Sequence, residues 1–229
     1  MPTIIDKEFG TITVRRSVKA TQVKIRVSPN GTLRASLPMY APLFLLKRLI
    51  RSSRTELREM IDRSTPHTIY REGQQIGKSH TLITRPGSEV IVKRNSTRIE
   101  VTLPPYTDLH APDVIDAIRP VVISALRIEA KSYLPKRLSY LATQHGYSYD
   151  SVRFSHAGSR WGSCSSSGTI SLNIALMKLP FELIDYVLLH ELAHTKEMNH
   201  SDRFWKLVGH TDPSFKLHRR LLKQEQPHI

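Results

Sequence analysis

Residues 190–200 read His-Glu-Leu-Ala-His-Thr-Lys-Glu-Met-Asn-His, and this stretch decides how the rest of the chain is interpreted. His190 and His194 are four residues apart, so on a helix their imidazoles lie on one face, one turn apart. Two neutral ring nitrogens in that arrangement can bind a single zinc ion. Glu191 lies beside the first ligand, where its carboxylate can accept a proton from a metal-bound water. The spacing therefore predicts a hydrolytic site with zinc as its cofactor.

The residues on either side of this motif predict helices that would position it. Pro180 suits a first helical turn, and an apolar run follows it at 181–189. After the motif, Ser201 or Asp202 can cap a further helix over 203–208. We expect the first of these helices to bury one apolar stripe and to present the histidines on another face. That stripe consists of Leu183, Val187, Leu188 and Leu192.

The expected third ligand is His200, six residues after His194, which is the interval found in metzincins. Metzincins have a glycine midway through that interval and a methionine turn downstream. Here Glu197 occupies the glycine position and no methionine follows Met198, so the chain is not predicted to be a metzincin. Two alternatives stay open: His200 caps a helix instead of binding metal, or Glu197 supplies an oxygen ligand.

Length and composition restrict the class of protein. A chain of 229 residues has room for one large domain or two small ones. Cys164 is the single cysteine, so an intrachain disulfide is excluded and a reducing compartment suits the chain. The N-terminal residues lack the apolar segment of a secretory signal, and the longest apolar runs are far too short to span a membrane. We therefore expect a cytoplasmic protein without a membrane segment.

The chain is strongly basic, with a formal net charge of +14, and most of the excess lies in residues 1–110. A basic excess can attract nucleic acid, nucleotides or acidic protein. It can equally be a solvated surface that only aids solubility. No basic cluster is interleaved with aromatic residues as a base-stacking surface would require. Nucleic acid or a nucleotide is therefore a candidate partner through the basic surface.

The predicted fold is α+β, with a division near residue 105 at Leu-Pro-Pro-Tyr-Thr. Residues 1–106 form a basic, strand-rich N-terminal region, and residues 107–229 form a catalytic domain. In the first region, alternating apolar and basic residues at 23–27 and 33–37 predict a hairpin. A helix with a basic outer face is predicted over 42–64, and no internal repeat is visible. Three short strands are predicted near 81–84, 90–93 and 99–103.

The second region begins with a long helical stretch from 113 to 144, which Pro120 and Pro135 are expected to kink or divide. Three segments follow it: a strand at 151–155, a loop of small residues at 159–168 and a strand at 169–173. We expect the last of these to be an edge strand beside the metal-binding helix. Such an edge is a usual place for an extended substrate to add main-chain hydrogen bonds.

Several ordered motifs carry a resemblance to a known family. They are Arg-Trp-Gly-Ser-Cys-Ser at 160–165, Leu172-Asn173, Asp-Tyr-Val at 185–187, the histidine motif, Asn-His-Ser at 199–201 and Phe204-Trp205. Together they span roughly residues 150–210 and resemble the YgjP-like metallopeptidases, which are related to SprT-type and Wss1-like zinc metalloproteases. The resemblance implies a small gluzincin-like domain in which zinc is bound by three histidines and Glu191 is the catalytic acid and base. The three implied ligands are His190, His194 and His200.

Arg160 and Asn173 are further candidates for substrate binding or for support of the site. Arg160 can hold a substrate carboxylate or phosphate, or stabilise the charge of a tetrahedral intermediate, but it can equally belong to a structural ion pair. Asn173 can present its amide to the site or simply end a strand. Trp161 is predicted to anchor the core, and Cys164 to be a small packing residue.

The leading functional prediction is a metallopeptidase that cleaves protein or peptide substrates through a zinc-activated water with Glu191 as general base. One alternative is a metal-dependent hydrolase of a small anionic substrate such as a nucleoside triphosphate (pyrophosphatase type), with Arg160, Lys178 or Arg203 contacting phosphate. No glycine-rich phosphate loop supports that alternative. Another is a non-catalytic nucleic-acid-binding protein with structural zinc. Three histidines with an open position argue against it, because structural zinc sites are usually closed and rich in cysteine.

Overall fold

A computed structural model of the chain describes residues 2–28, 32–64 and 69–229. The chain divides into two units, Met1–His67 and Thr68–Ile229, and each has its own hydrophobic core. Helices and strands are mixed, and strands dominate the N-terminal part, which confirms the predicted α+β class. The predicted boundary at residue 106 lies inside the second unit, because the strands before it share a core with the long helix that follows.

The first unit is a four-stranded sheet with two helices packed on one face. Its elements are β1 (Thr3–Asp6), β2 (Gly10–Ser17), β3 (Lys24–Val27), β4 (Leu33–Pro38), α1 (Leu43–Ser52) and α2 (Arg54–Ser64). The strand order is β1-β2-β4-β3, with β2 parallel to β4 and the outer pairs antiparallel. Alternate residues of the strands, such as Ile12 and Val14, point to the helices and are buried with Leu46, Ile50 and Leu57. The face of each strand is thus set by its period-2 pattern.

Two predictions for this unit have clear outcomes. The hairpin is confirmed as the antiparallel pair β3 and β4, while residues 29–31 of its turn lie outside the described part of the chain. The single helix over 42–64 is present as two consecutive helices. The break is at Ser53, whose φ of −115° and ψ of 29° depart from helical geometry. Arg54 then forms ion pairs with Asp6 and Glu8, which fastens the start of α2 to the first strand pair.

The second unit contains two sheets around one long helix. Its strands are β5 (Gln75–Ile76), β6 (His80–Pro86), β7 (Ile91–Asn95), β8 (Arg98–Leu103), β9 (Ser151–Ser155), β10 (Gly162–Cys164) and β11 (Thr169–Asn173). Its helices are α3 (Pro112–His145), a 3-10 helix (Ile174–Lys178), α4 (Phe181–Ala193), α5 (Asp202–Thr211) and α6 (Phe215–Leu222). The strands predicted near 81–84, 90–93 and 99–103 are confirmed as β6, β7 and β8.

The sheet β5-β6-β8-β7 repeats the topology of the first unit. Its central pair β6 and β8 is parallel and both outer pairs are antiparallel, as in β1-β2-β4-β3. The turns between the first two strands of each sheet also correspond. Asp6 pairs with Gly10 across the turn from β1 to β2, and Ile76 pairs with His80, at the same spacing, across the turn from β5 to β6. A four-stranded segment followed by a helix therefore occurs twice, contrary to the expectation of no repeat. The second copy shares too few identical residues with the first for the sequence to reveal it.

The helix α3 runs without a break through Pro120 and Pro135, so of the two expected outcomes, a kink or a division, the division is wrong. Each proline removes one main-chain hydrogen bond from the helix. Burial compensates for that loss, because one side of α3 is apolar along its length and fully packed. Its buried residues include Val114, Ile118, Val122, Leu126, Leu134, Leu138 and Leu141.

A buried carboxylate on α3 fixes the turn between β5 and β6. Glu129 accepts hydrogen bonds from the main-chain N–H groups of Lys78 and Ser79 at 2.6 and 2.9 Å, and from Nδ1 of His80 at 2.6 Å. Gly77 precedes these donors with φ of 66°, and a Cβ there would lie 2.2 Å from the Glu129 carboxylate. The turn thus needs glycine both for its backbone conformation and for the close approach of the carboxylate.

The third sheet lies against the helix that carries the histidine motif. Its order is β10-β11-β9, with β11 antiparallel to β10 and parallel to β9. The predicted strand at 169–173 is therefore central, and the expectation that it forms the edge is wrong. The edge beside α4 is β10, three residues that were predicted as loop because they are small and polar. In the described ranges, no helix is long and apolar enough to cross a membrane.

Candidate metal centre

Three histidine side chains converge at the C-terminal end of α4. His190 lies in the last turn of α4, His194 is its C-cap residue, and His200 reaches back from the segment before α5. Nε2 of His190 and Nε2 of His200 are 3.0 Å apart, and one ring nitrogen from each of the three residues lies within 4.8 Å of the others. The arrangement brings together the three residues that spacing and resemblance predict as ligands.

Aromatic rings enclose the three imidazoles. Phe204 stacks on His194 at a centroid distance of 4.4 Å, and Trp205 stacks on His200 at 5.5 Å. Trp205 in turn stacks on Phe215 at 5.8 Å. Both aromatic residues of α5 are in place because Ser201 caps that helix, accepting a hydrogen bond from the main-chain N–H of Phe204. The predicted cap is therefore confirmed, and it positions the walls of the site.

Burial keeps the imidazoles of His190 and His194 neutral. Burial, together with His194 and His200, lowers the pKa of His190 to about 3. Burial also lowers the pKa of His194, whose Nδ1 lies 3.1 Å from the carbonyl oxygen of Glu197. That carbonyl fixes the ring with Nδ1 protonated and leaves Nε2 as the free lone pair. Glu197 thus contributes its main chain, and its side chain is not part of the metal-ligand cluster.

The donor set fits a transition-metal ion. Neutral imidazole nitrogens are preferred ligands of zinc and of other first-row transition metals. Two such nitrogens only 3.0 Å apart, as in His190 and His200, need a proton or a cation between them. Within the described residues, Glu191 Oε2 is buried and has no hydrogen-bond partner. Beside three histidines, such an atom is suited to a water bound at an open metal position.

Glu191 is held by a close approach of strand β10. Its side chain is buried, and a Cβ at Gly162 would lie 2.6 Å from its Oε1 and 2.7 Å from its Cγ. Burial raises the pKa of Glu191 to about 8, and the positive charge of Arg160 opposes that rise. Gly162 is a further residue beside the site that the sequence alone did not single out. Its signal was a glycine between Trp161 and Ser163 in the motif of the resemblance, but nothing local indicated what it approaches.

Arg160 and Asn173 have different positions around the centre. Arg160 is exposed, and its charge acts on Glu191. Asn173 is fully buried, and its Nδ2 donates to the carbonyl oxygens of Ala157 and Arg160 at 2.6 and 2.8 Å. Its Oδ1 accepts from the main-chain N–H of Ala175. The amide of Asn173 is thus committed to the main chain, where it holds the loop that carries Arg160.

Other sequence candidates lie in structural roles. Trp161 packs on the core of the second unit, as expected. Cys164 is half-buried, and burial, together with Glu191, raises the pKa of its thiol. Lys178, a candidate phosphate contact, donates to the carbonyl oxygen of His228 at 2.7 Å, and burial lowers its pKa. The side chain of Lys178 is therefore engaged with the main chain.

A histidine–carboxylate pair behind the centre was not anticipated. Nδ1 of His218 lies 2.7 Å from Oδ2 of the buried Asp212. Between this pair and the metal ligands stands Tyr186, with its ring 6.2 Å from His218 and 6.0 Å from His190. Burial raises the pKa of Tyr186 to about 12, so it stays protonated. Tyr186 belongs to α4, Asp212 caps the C-terminus of α5 and His218 belongs to α6, so only tertiary packing brings the pair to Tyr186.

Comparison with known proteins gives one family and two similar solved structures. The model of the YgjP-like metallopeptidase domain matches residues 21–225. The metallopeptidase zymogen of Pyrococcus abyssi abylysin is 30% identical, covering 39% of this chain and 92% of its own, with a TM-score of 0.36. The metallopeptidase zymogen of Methanocaldococcus jannaschii jannalysin is 19% identical, covering 40% of this chain and 96% of its own, with a TM-score of 0.33. No curated protein sequence matches the chain.

Proposed function

The chain belongs to the YgjP-like metallopeptidase family, a group of peptidase-like hydrolases, and we propose that it cleaves peptide bonds with one zinc ion. The observation that carries this proposal is the convergence of His190, His194 and His200 beside the buried carboxylate of Glu191. Three neutral nitrogens with a carboxylate at the open side are the arrangement that catalytic zinc sites use. Protein or peptide is the substrate class that the family membership supports.

The mechanism assigns a separate task to each group. The three histidines would hold zinc, which when bound polarises the scissile carbonyl and lowers the pKa of a coordinated water to about 7. Glu191 accepts the proton of the attacking water as the water oxygen bonds to the carbonyl carbon. Glu191 then delivers that proton to the amine nitrogen as the carbon–nitrogen bond breaks. Burial raises the pKa of Glu191 to about 8. Zinc bound beside it would favour the ionised carboxylate and so lower that pKa.

The open edge of β10 is the proposed place for the substrate main chain. An extended peptide that pairs with this edge lies directly over the Glu191 carboxylate, because Gly162 in β10 contacts that side chain. Arg160, two residues before β10, is exposed and can bind a carboxylate of the substrate or stabilise the developing negative charge. Asn173 supports this arrangement by holding the main chain of residues 157–160.

The test separates metal binding from turnover. For Glu191→Gln, we expect zinc content equal to that of the wild type and a loss of cleavage of an unfolded protein of about 10²–10⁴-fold. For His190→Ala and His194→Ala, both stoichiometric zinc and cleavage are expected to disappear. Zinc is measured by elemental analysis and cleavage by the appearance of fragments.

Two results would contradict the proposal. Full cleavage by Glu191→Gln would remove Glu191 from the role of general base. A zinc-loaded wild type that cleaves neither unfolded protein nor peptides would exclude the peptidase activity, and nucleoside triphosphates would then be assayed as the small anionic substrate.

A further inference from the structure

The outer face of the first sheet carries four exposed cations. Arg15 of β2, Arg34 of β4, and Lys24 and Arg26 of β3 all project from the side of the sheet opposite its helices. We call these four residues the basic face. Arg16 does not belong to it, because its guanidinium donates to the main-chain carbonyl oxygens of Met39 and Ala41, just before α1.

Strand register concentrates these charges. Cross-strand neighbours form two adjacent rows on this side of the sheet, and rows are about 7 Å apart while strands are about 5 Å apart. Arg26 pairs directly with Arg34, so two guanidinium groups occupy opposite positions. Like charges in that position destabilise a sheet unless an anion is present. One row contains Arg15, Ser36 and Lys24, and the next contains Thr13, Arg34 and Arg26.

The repeated sheet of the second unit provides an internal comparison. The register that places Arg26 opposite Arg34 in the first sheet places Lys93 opposite Glu100 in the second. The second copy therefore sets opposite charges against each other, while the first sets like charges together. The same topology accommodates a like-charge pair and an opposite-charge pair at this position, so the fold does not require the pair of cations.

Nothing in the described part of the first unit neutralises the basic face. None of its four cations makes an ion pair among the described residues. The carboxylates of Asp6 and Glu8 are engaged by Arg54, and Glu56 belongs to helix α2 on the other side of the sheet. The face therefore presents a local excess of positive charge, interspersed with hydroxyl groups.

From this we propose that the basic face binds the phosphate backbone of double-stranded nucleic acid. Arginine, lysine, serine and threonine side chains supply most contacts to phosphate and sugar. The rows contain no aromatic residue on which unpaired bases could stack, so a duplex backbone fits better than a single strand. Binding to a membrane surface would require a band of apolar side chains on this face. An interface with an acidic protein would require apolar side chains at its centre. The rows contain neither. The inference does not depend on the proposed peptidase activity.

Binding of a labelled DNA duplex to the full chain, measured by fluorescence anisotropy between 50 and 300 mM salt, tests the proposal. The variant R15Q/K24Q/R26Q/R34Q is compared with wild type. We expect binding at 100 mM salt to weaken by about tenfold or more, and the slope of log affinity against log salt to become shallower by about 3 to 4. That change corresponds to four lost phosphate contacts at about 0.9 each.

A matched control removes the same charge elsewhere in the unit. The variant K7Q/K47Q/R48Q/R51Q alters exposed cations of α1 and of the turn after β1, and we expect its slope to stay near that of wild type. An equal loss in both variants would show that net charge alone attracts the duplex and would overturn the proposal. So would the absence of duplex binding by wild type, or equal binding to polyglutamate or to anionic vesicles.

A single substitution separates binding from folding. Arg34→Glu gives the first sheet the opposite-charge pairing of the second, so we expect the thermal midpoint to rise while duplex affinity falls. Circular dichroism confirms that each variant is folded. A fall in both stability and affinity would indicate a structural role for Arg34 and would overturn its assignment to the basic face.

Discussion

Gly162 and Glu191 meet where the edge strand crosses the metal-binding helix, and their contact leaves no space for a side chain. We predict that Gly162→Ala displaces the Glu191 carboxylate, because a Cβ would lie 2.6 Å from its Oε1. Cleavage should fall by about 10²-fold or more, while zinc content stays at one per chain. Elemental analysis together with a cleavage assay checks this. Ser163→Ala, one residue further along β10, is the control, and similar losses for both changes would contradict the steric explanation.

Trp205 stacks on His200, the proposed third ligand. Among the described residues, His200 makes no contact that would fix its Nδ1, and its ring rests on Trp205. Trp205 is itself held between Phe215 and the guanidinium of Arg219, whose carbon lies 4.5 Å from its ring. Stacking thus replaces the outer-shell hydrogen bond that usually orients a ligating histidine.

We therefore expect Trp205→Leu to weaken zinc binding by about 10–100-fold, the usual effect of losing an outer-shell contact. Trp205→Phe keeps an aromatic surface and should stay within a few-fold of wild type. Competition with a chromogenic chelator measures both affinities. If the phenylalanine and leucine variants bind zinc equally well, stacking does not orient His200.

The juxtaposition of His190, Glu191 and His194, the proposed general base and two of the proposed ligands, was predictable because it is local. His190, Glu191 and His194 lie within one helical turn, so spacing alone places them. The partners of those residues were not predictable, because they come from distant parts of the chain. Gly162 lies on strand β10, which meets Glu191 of α4 only through tertiary packing.

The turn between β5 and β6 depends on one ionised carboxylate of α3. Burial by itself would raise the pKa of Glu129, but hydrogen bonds from Lys78, His80 and Ser79 outweigh it and hold that pKa below its ordinary value. Since the folded pKa is the lower one, the unfolded chain takes up the proton first as pH falls. The stability from this carboxylate is thus complete above about pH 4.5 and is lost as pH falls through the folded pKa.

We expect Glu129→Gln to lower the free energy of unfolding at pH 7 by about 2–4 kcal/mol, because buried donors lose a charged acceptor. The difference from wild type should shrink below pH 4.5. Urea denaturation at pH 7, 4.5 and 3.5 measures it, with the exposed Glu89→Gln as a control. A difference that is the same at all three values would mean that the ionised carboxylate is not the source of the stability.

The predicted helices and strands agree with the structure where the pattern of apolar residues is strong. They differ from it where tertiary packing determines the local conformation. Period-2 alternation predicted β3 and β4, short segments bounded by turn residues predicted β6–β8, and the apolar run before His190 predicted α4. By contrast, α3 continues through Pro120 and Pro135 because its buried side is long enough to compensate for two missing hydrogen bonds. Strand β10 has only small polar residues, and it is a strand because β11 supplies its hydrogen bonds.

The two hydrophobic cores of the molecule share no residue in the described ranges. The larger core draws only on positions from Tyr70 onward, and the smaller on positions up to Ile61. We predict that residues 68–229, produced alone, fold cooperatively and bind one zinc ion, because all three histidines and Glu191 belong to this unit. Circular dichroism on heating and elemental analysis provide the check. A product that is unfolded, or folded without zinc, would show that the first unit is needed for the metal centre.

The repeated four-stranded segment bears on how the protein evolved. Two copies that share strand order, tight turns and an Ala-Pro pair before the following helix point to tandem duplication of an ancestral segment. After such an event, one copy stays under constraint while the other is free to diverge. Here the sheet of the second copy became part of the core of the unit that contains the three histidines, and the sheet of the first copy kept a separate core. Across descendants of this ancestor, residues 1–67 should therefore change faster than residues 68–229, and new binding specificities should arise there first.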